Sequence, residues 1–392
     1  MEPNKNEKKQ PKEVDDKKEN DEQKEEKPKK QKSKEKIKKA NEQDDKIENE
    51  QDDKKENETK ENEQDDKKEK ETKENEQDDE KEKENKVPEI HVKSVNELEK
   101  LIDYKYNENG ELLHKKTGKK CDRLGQQEYE LVGMYVQKYV ENLLIQTFDL
   151  ITLYVPNKTS TDFSVRDESQ AQCKIAITKD FPTNPKCLML IQGTGAVRLG
   201  QWARSVCIND NLRLGTMLPY LEKAIKNNFS VIIFNPNEKY DFKNDKKQIK
   251  EFNTMEKHSV YVYNNIVKKN KNIKEIYIVA HSRGGDCAVE ILLKNKEDLL
   301  GGKIKKIAFT DSVHGDEYLD LKKEGVEKFR EISRNYITSD KPLGTFVKGY
   351  KKAYGGVDCY SSGHEKHEYT SGTAIEEVFK FFGVENYFLF YN

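Results

Sequence analysis

Apolar and polar positions divide this chain into two unlike parts. Residues 1–86 hold no aromatic residue, and their only apolar side chains are Met1, Val14, Ile37, Ala40 and Ile47. Such a stretch cannot bury enough surface to offset the entropy of ordering, so a disordered tail is expected over 1–86. From Val87 onward about 300 residues remain, enough for one large domain with its own core.

Within that second part the period of the pattern changes along the chain. Residues 95–101 are amphipathic, and YNENGELLHKKTGKK reads as a polar hairpin around Asn109-Gly110. Leu131, Met134, Tyr135, Val140, Leu143 and Leu144 recur at helical spacing, which predicts a helix packed on a core. Strands and helices then alternate. Short apolar runs at 187–193, 230–237, 276–282, 306–312 and 335–340 read as strands. Amphipathic stretches at 216–228, 258–269, 285–295, 321–333 and 373–382 read as the helices between and after them. The strands are apolar on both faces, as expected when helices cover each side of a parallel sheet. The fold class read from this order is α/β: an α/β-hydrolase-like, doubly wound, mostly parallel sheet. Right-handed crossovers would place functional loops at the carboxyl ends of the strands.

Charge changes the picture little. Residues 1–86 carry 26 Lys against 33 Asp and Glu, and the rest carries 46 Lys and Arg against 41 Asp and Glu. Neither part has the one-signed excess of a nucleic-acid-coating arm. The tail repeats NEQDD from positions 41, 49, 62 and 75, a low-complexity pattern with no hydrophobic face to stack. Its basic cluster Lys27–Lys39 can be read as a nuclear-localisation signal or as a solvated polyampholyte. Six scattered cysteines without a C-x-x-C pair read as reduced thiols. The N-terminus shows no apolar signal region, and no apolar run approaches the roughly 20 residues of a membrane span. An intracellular protein, nuclear or cytoplasmic, is expected.

The candidate chemistry starts at AHSRG, residues 280–284. A serine that follows a buried strand and precedes a helix, with small residues two before and two after it, is the pattern of a nucleophile elbow. Ser282 is then the candidate nucleophile, and the N–H of Arg283 one oxyanion donor. A second donor is expected from the glycine loop at Gly193 and Thr194. The Arg283 side chain suits an anionic ligand. A base and an orienting acid must follow. His314, His364 and His367 are candidates for the base, and the loop before the last helix favours His364 or His367. Asp311 or Asp340 supplies the acid. A bland reading stands beside this one: Ser282 as a helix cap, and both aspartates as turn formers. Two histidines three apart in HEKHE, with no third ligand, do not make a zinc site. No metal and no cofactor is called for.

Beyond these residues, YNENGELLHKKTG, RLGQW, GTMLPYL, FNPN, VAHSRGG, AFTDSVH and SSGHEKHEYTS run from about Tyr106 to Phe382. In them the chain resembles the Arb-two domain, named for the second argonaute-binding subunit of a fungal small-RNA chaperone complex. A related cotranscriptional regulator of animals and the C-terminal domain of some class II histone deacetylases are similar. The resemblance puts the family's elbow serine on Ser282, its histidine on His367 rather than His364, and its acid on Asp311. Strand order alone favours Asp340, which matches no fixed acid of the family. The resemblance implies a nuclear protein acting with argonaute, chromatin or splicing proteins, and with small RNA indirectly, using a hydrolase fold as a binding platform. It implies no substrate. The alternative is an active, esterase-like serine hydrolase working through Ser282, His367 and Asp311.

Overall fold

The computed structural model describes residues 94–384, apart from 122–123, 242, 244–246, 316–319 and 351–353. The tail expected over 1–86, with its basic cluster, lies outside the described residues.

Eight strands form one sheet. In chain order, β1 (Tyr104–Tyr106) and β2 (Leu112–His114) make a separate hairpin, as does the short pair β7 (Tyr240–Asp241) and β8 (Lys247–Gln248). The main sheet holds β3 (Ile151–Val155), β4 (Cys173–Ile177), β5 (Lys186–Ile191), β6 (Ser230–Ile233), β9 (Glu275–His281), β10 (Ile304–Thr310), β11 (Ser333–Ile337) and β12 (Asp358–Ser361). Its order is β12-β11-β10-β9-β5-β6-β4-β3. Strand β4 runs antiparallel to both its neighbours, and the other pairs are parallel. The chain moves outward from β5 to β6, then returns to the other side of β5 with β9. That reversal is a topological switch point at the carboxyl ends of β5 and β9, the place where sheets of this kind carry their functional loops.

The sheet is buried on both faces, and the two-residue period of each strand explains how. Ile276, Ile278 and Ala280 of β9 join one core cluster with Cys187, Met189, Ile191, Ile307 and Phe309. Tyr277 and Val279 join a second cluster with Leu188, Leu190 and Ala308. Helices α6 (Met255–Val262), α7 (Gly284–Lys294) and α9 (Lys322–Ile332) pack on the first face through Val262, Ile291 and Phe329. On the second face lie α2 (Gln126–Gln146), α5 (Leu218–Lys226) and α10 (Thr370–Phe381), through Val136, Leu221 and Phe379. The remaining helical turns are α1 (Val95–Leu101), α3 (Arg204–Asn209), α4 (Leu212–Gly215) and α8 (Lys296–Leu300). Removing a fully buried side chain such as Phe309 or Phe329 would cost about 3–5 kcal/mol.

The five expected strands and six expected helices are all present, with shifted ends. The run 230–237 is strand only to Ile233, and the run 335–340 begins earlier, at Ser333. The helix expected over 258–269 starts at Met255 and passes into a π-turn at Tyr263–Val267. Strands β3, β4 and β12 are additional to the expected ones. Among the described residues, no helix is long and apolar enough to cross a membrane. The six cysteines are all buried, and none of them is in a disulfide.

Candidate active site

Strand β9 ends at His281, and the chain turns sharply at Ser282, whose φ is +50°. A non-glycine residue in this left-handed region is strained by about 1–3 kcal/mol and needs support from its surroundings. Here the Ser282 N–H donates to Thr310 O at 3.1 Å, and Ser282 O accepts from Gly285 N at 2.9 Å. Helix α7 starts at Gly284, directly after Arg283. The Arg283 N–H therefore belongs to the first-turn donors, which have no intrahelical acceptor.

Close packing explains the small residues around the turn. A Cβ on Gly284 would stand 2.7 Å from Ile191 O and 2.8 Å from Gln192 O. A Cβ on Gly193 would stand 2.8 Å from the Ser282 Cβ. Backbone and elbow touch here because Ile191 of β5 pairs with Ala280 of β9, so the next residues of each strand leave the sheet side by side. Asn237 Nδ2 donates to Gly193 O at 2.7 Å and holds the loop in place. Thr194 is exposed at its tip.

The base and acid candidates sort themselves by contact. His367 lies in a 3-10 turn, His367–Tyr369, immediately before α10. Its Nδ1 donates to Asp311 Oδ2 at 2.7 Å. Asp311 follows β10 with φ +46°, and its N–H donates to Tyr336 O at 2.8 Å. Its second carboxyl oxygen accepts from Thr338 N at 3.3 Å. Burial pushes the Asp311 carboxyl upward, but the His367 hydrogen bond and charge outweigh it and leave its pKa below the usual value. With the proton on Nδ1, the neutral His367 ring presents Nε2 as a base. The imidazole is 37% exposed, so the site opens on this side, whereas Asp311 is 11% exposed.

His364 and Asp340 lie outside this arrangement. The His364 ring stacks on Tyr369 at 4.2 Å, and its Nδ1 accepts from Lys366 N. Asp340 is exposed in the loop after β11. His314 turns inward instead, stacked on Phe309 at 4.2 Å. Among the described residues, no group of three or more His, Cys, Asp or Glu side chains could hold a metal ion.

His281 connects the elbow to the His367 segment. Its ring lies 4.6 Å from that of His367 and edge-on to Trp202 at 6.4 Å. Its Nδ1 donates to Thr310 O at 2.8 Å, which fixes the tautomer. Burial, and next the nearby His367, drive its pKa down to about 3. Thr310 Oγ1 also bonds Ser371 Oγ at 2.7 Å, tying β10 to the start of α10.

The Arb2 domain family model matches residues 95–343, which contain Gly193, Ser282 and Asp311. The chain belongs to the Arb2 domain family. The cotranscriptional regulator ARB2A homolog of Dictyostelium discoideum is 34% identical over 316 residues, covering 71% of this chain and 77% of that protein. The Xenopus tropicalis homolog is 31% identical over 341 residues, covering 71% and 78%. Among solved structures, a histone deacetylase from Saccharomyces cerevisiae is similar at 11% identity and a TM-score of 0.40, over 67% of this chain and 98% of that one.

In this Arb2 domain two further groups shape the site without standing out in the sequence. Ser312 Oγ bonds His314 Nδ1 at 2.8 Å, and a Cβ on Gly285 would fall 1.7 Å from that same Oγ. The Asp311–Ser312 loop thus rests directly on the first turn of α7. The motif TDSVH carried this signal, but the periodicity of a single sequence does not show that its serine seats on a glycine 27 positions earlier. The second group is Glu256 in the first turn of α6, whose Oε1 accepts from Arg283 Nε at 3.3 Å.

Proposed function

We propose that this Arb2-domain protein is a nuclear cotranscriptional regulator whose hydrolase-type domain is a docking platform for argonaute, chromatin or splicing proteins. One observation carries this reading. Proteins named cotranscriptional regulator ARB2A align with the chain over more than three quarters of their own length. The experiment is proximity labelling from the full chain expressed in its own cells, with fractionation alongside. Enrichment of nuclear transcription, splicing or argonaute proteins is the expected result. A wholly cytosolic pool with none of these partners would overturn it.

The His367–Asp311 hydrogen bond beside the Ser282 elbow favours a second activity in the same domain, acyl transfer by an activated serine. In that reaction Ser282 Oγ bonds to the carbonyl carbon of an ester while its proton passes to His367. The C–O bond to the alcohol then breaks, and the leaving alkoxide takes that proton. Water, deprotonated by the same imidazole, releases the acid and restores Ser282. Asp311 stabilises the imidazolium, and the N–H groups of Arg283 and the Gly193–Thr194 loop are aimed at the oxyanion. A fluorophosphonate probe tests this directly, with Ser282→Ala as the control.

A further inference from the structure

We propose that the Ser282 site takes an anionic acyl group, with the Arg283 guanidinium as the residue that selects it; this rests on the second reading above, that Ser282 is an activated serine. Arg283 is the immediate neighbour of Ser282, and its side chain reaches solvent beside the elbow. It is 42% exposed, unlike the buried residues on either side of it. Its Nε donates to Glu256 Oε1 at 3.3 Å. Among the described residues, no protein acceptor meets Nη1 or Nη2. A guanidinium held by one corner, with its two outer nitrogens open to solvent, matches a carboxylate in bidentate geometry.

A second arginine lies on the neighbouring loop. Arg198 follows the glycine loop, and its Nη1 donates to Val197 O at 3.1 Å and Gly195 O at 3.4 Å, which fixes a second cation on that loop, where it also acts on the Glu238 carboxyl. Glu256 is the acid that faces Arg283. Burial raises its pKa, but its own backbone N–H, Thr254 and Arg283 together lower it, so it stays ionised and holds the guanidinium in place. An incoming carboxylate can engage the outer nitrogens without displacing it. A neutral acyl chain would leave these nitrogens to solvent and gain nothing from them.

The test uses the full chain and two p-nitrophenyl esters of similar length, the neutral butyrate and the anionic mono-glutarate. The wild type should turn over the glutarate ester with a kcat/KM about tenfold higher, the equivalent of about 1.4 kcal/mol. Arg283→Met should abolish that preference. Glu256→Gln should raise it, since the acid that competes for the guanidinium becomes neutral. Labelling of Ser282 by a neutral fluorophosphonate reports in each variant whether the elbow is intact. Equal or reversed preference in the wild type, or a preference that survives Arg283→Met, would overturn the proposal. Failure of the wild type to label would sink the activated serine itself. Glutarate binding to Ser282→Ala by calorimetry then still decides the anion pocket: loss on adding Arg283→Met supports it, and no binding at all rejects it.

Discussion

Gly193 and Ser282, on loops that leave neighbouring strands, pack so closely that one added carbon between them has no room: a Cβ on Gly193 would lie 2.8 Å from the Ser282 Cβ and 3.2 Å from His281 O. The elbow and the glycine loop therefore form one rigid unit. Gly193→Ala should push the two apart, lower the folding stability by about 1–3 kcal/mol in denaturant titrations, and suppress any reactivity of Ser282.

The seating of Ser312 on Gly285 predicts a coupled pair. Gly285→Ala places a methyl 1.7 Å from the Ser312 Oγ and should destabilise the domain by at least 2 kcal/mol, an order of magnitude set by overpacking. Ser312→Gly alone removes the hydrogen bond to the His314 ring and should cost about 1–2 kcal/mol. Together the two changes should cost less than their sum, because the second relieves the clash made by the first. A double-mutant cycle of unfolding midpoints reads the coupling.

Acid should unfold the domain through buried histidines. Burial drives the pKa of His258 and His281 down to about 3 and that of His314 to about 4. In the unfolded chain each returns to about 6.5. A depressed folded value means that the unfolded state binds the proton first, so stability is full above about pH 6.5 and falls as the pH drops toward 4. Each histidine contributes up to about 1.4 kcal/mol per pH unit in that window. His258 is enclosed by Phe234 and Phe252 and makes no contact with Ser282, Asp311 or His367 among its ring neighbours. His258→Phe should flatten the acid side of the stability profile without altering the pH dependence of Ser282 labelling.

Much of this fold was legible because buried strands and amphipathic helices announce themselves. Residues 276–282 are apolar on both faces because each face meets a helical layer, and they end on the elbow the sequence shows. Strands β3, β4 and β12 were harder. Their runs, such as DCYS at 358–361, are short and partly polar, and β12 and β3 lie at the sheet edges. The site was only half legible. Ser282 and the glycine loop follow from local spacing, since small residues are needed wherever backbone meets backbone. Strand order alone pointed to Asp340, and spacing left His364 and His367 equal. The family resemblance favours Asp311 and His367, and the fold brings these two side chains into contact: Asp311 is turned at φ +46° under Tyr336, and His364 is stacked on Tyr369 instead. The pairing of Arg283 with Glu256 is likewise a packing fact with no sequence period behind it.

The most direct measurement is the rate of fluorophosphonate labelling of the purified full chain and four variants at neutral pH. The account predicts labelling of the wild type, none of Ser282→Ala, rates lower by about 10²–10⁴ in His367→Ala and Asp311→Asn, and no change in Asp340→Asn. An unlabelled wild type, or Ser282→Ala labelled as fast as the wild type, would contradict it.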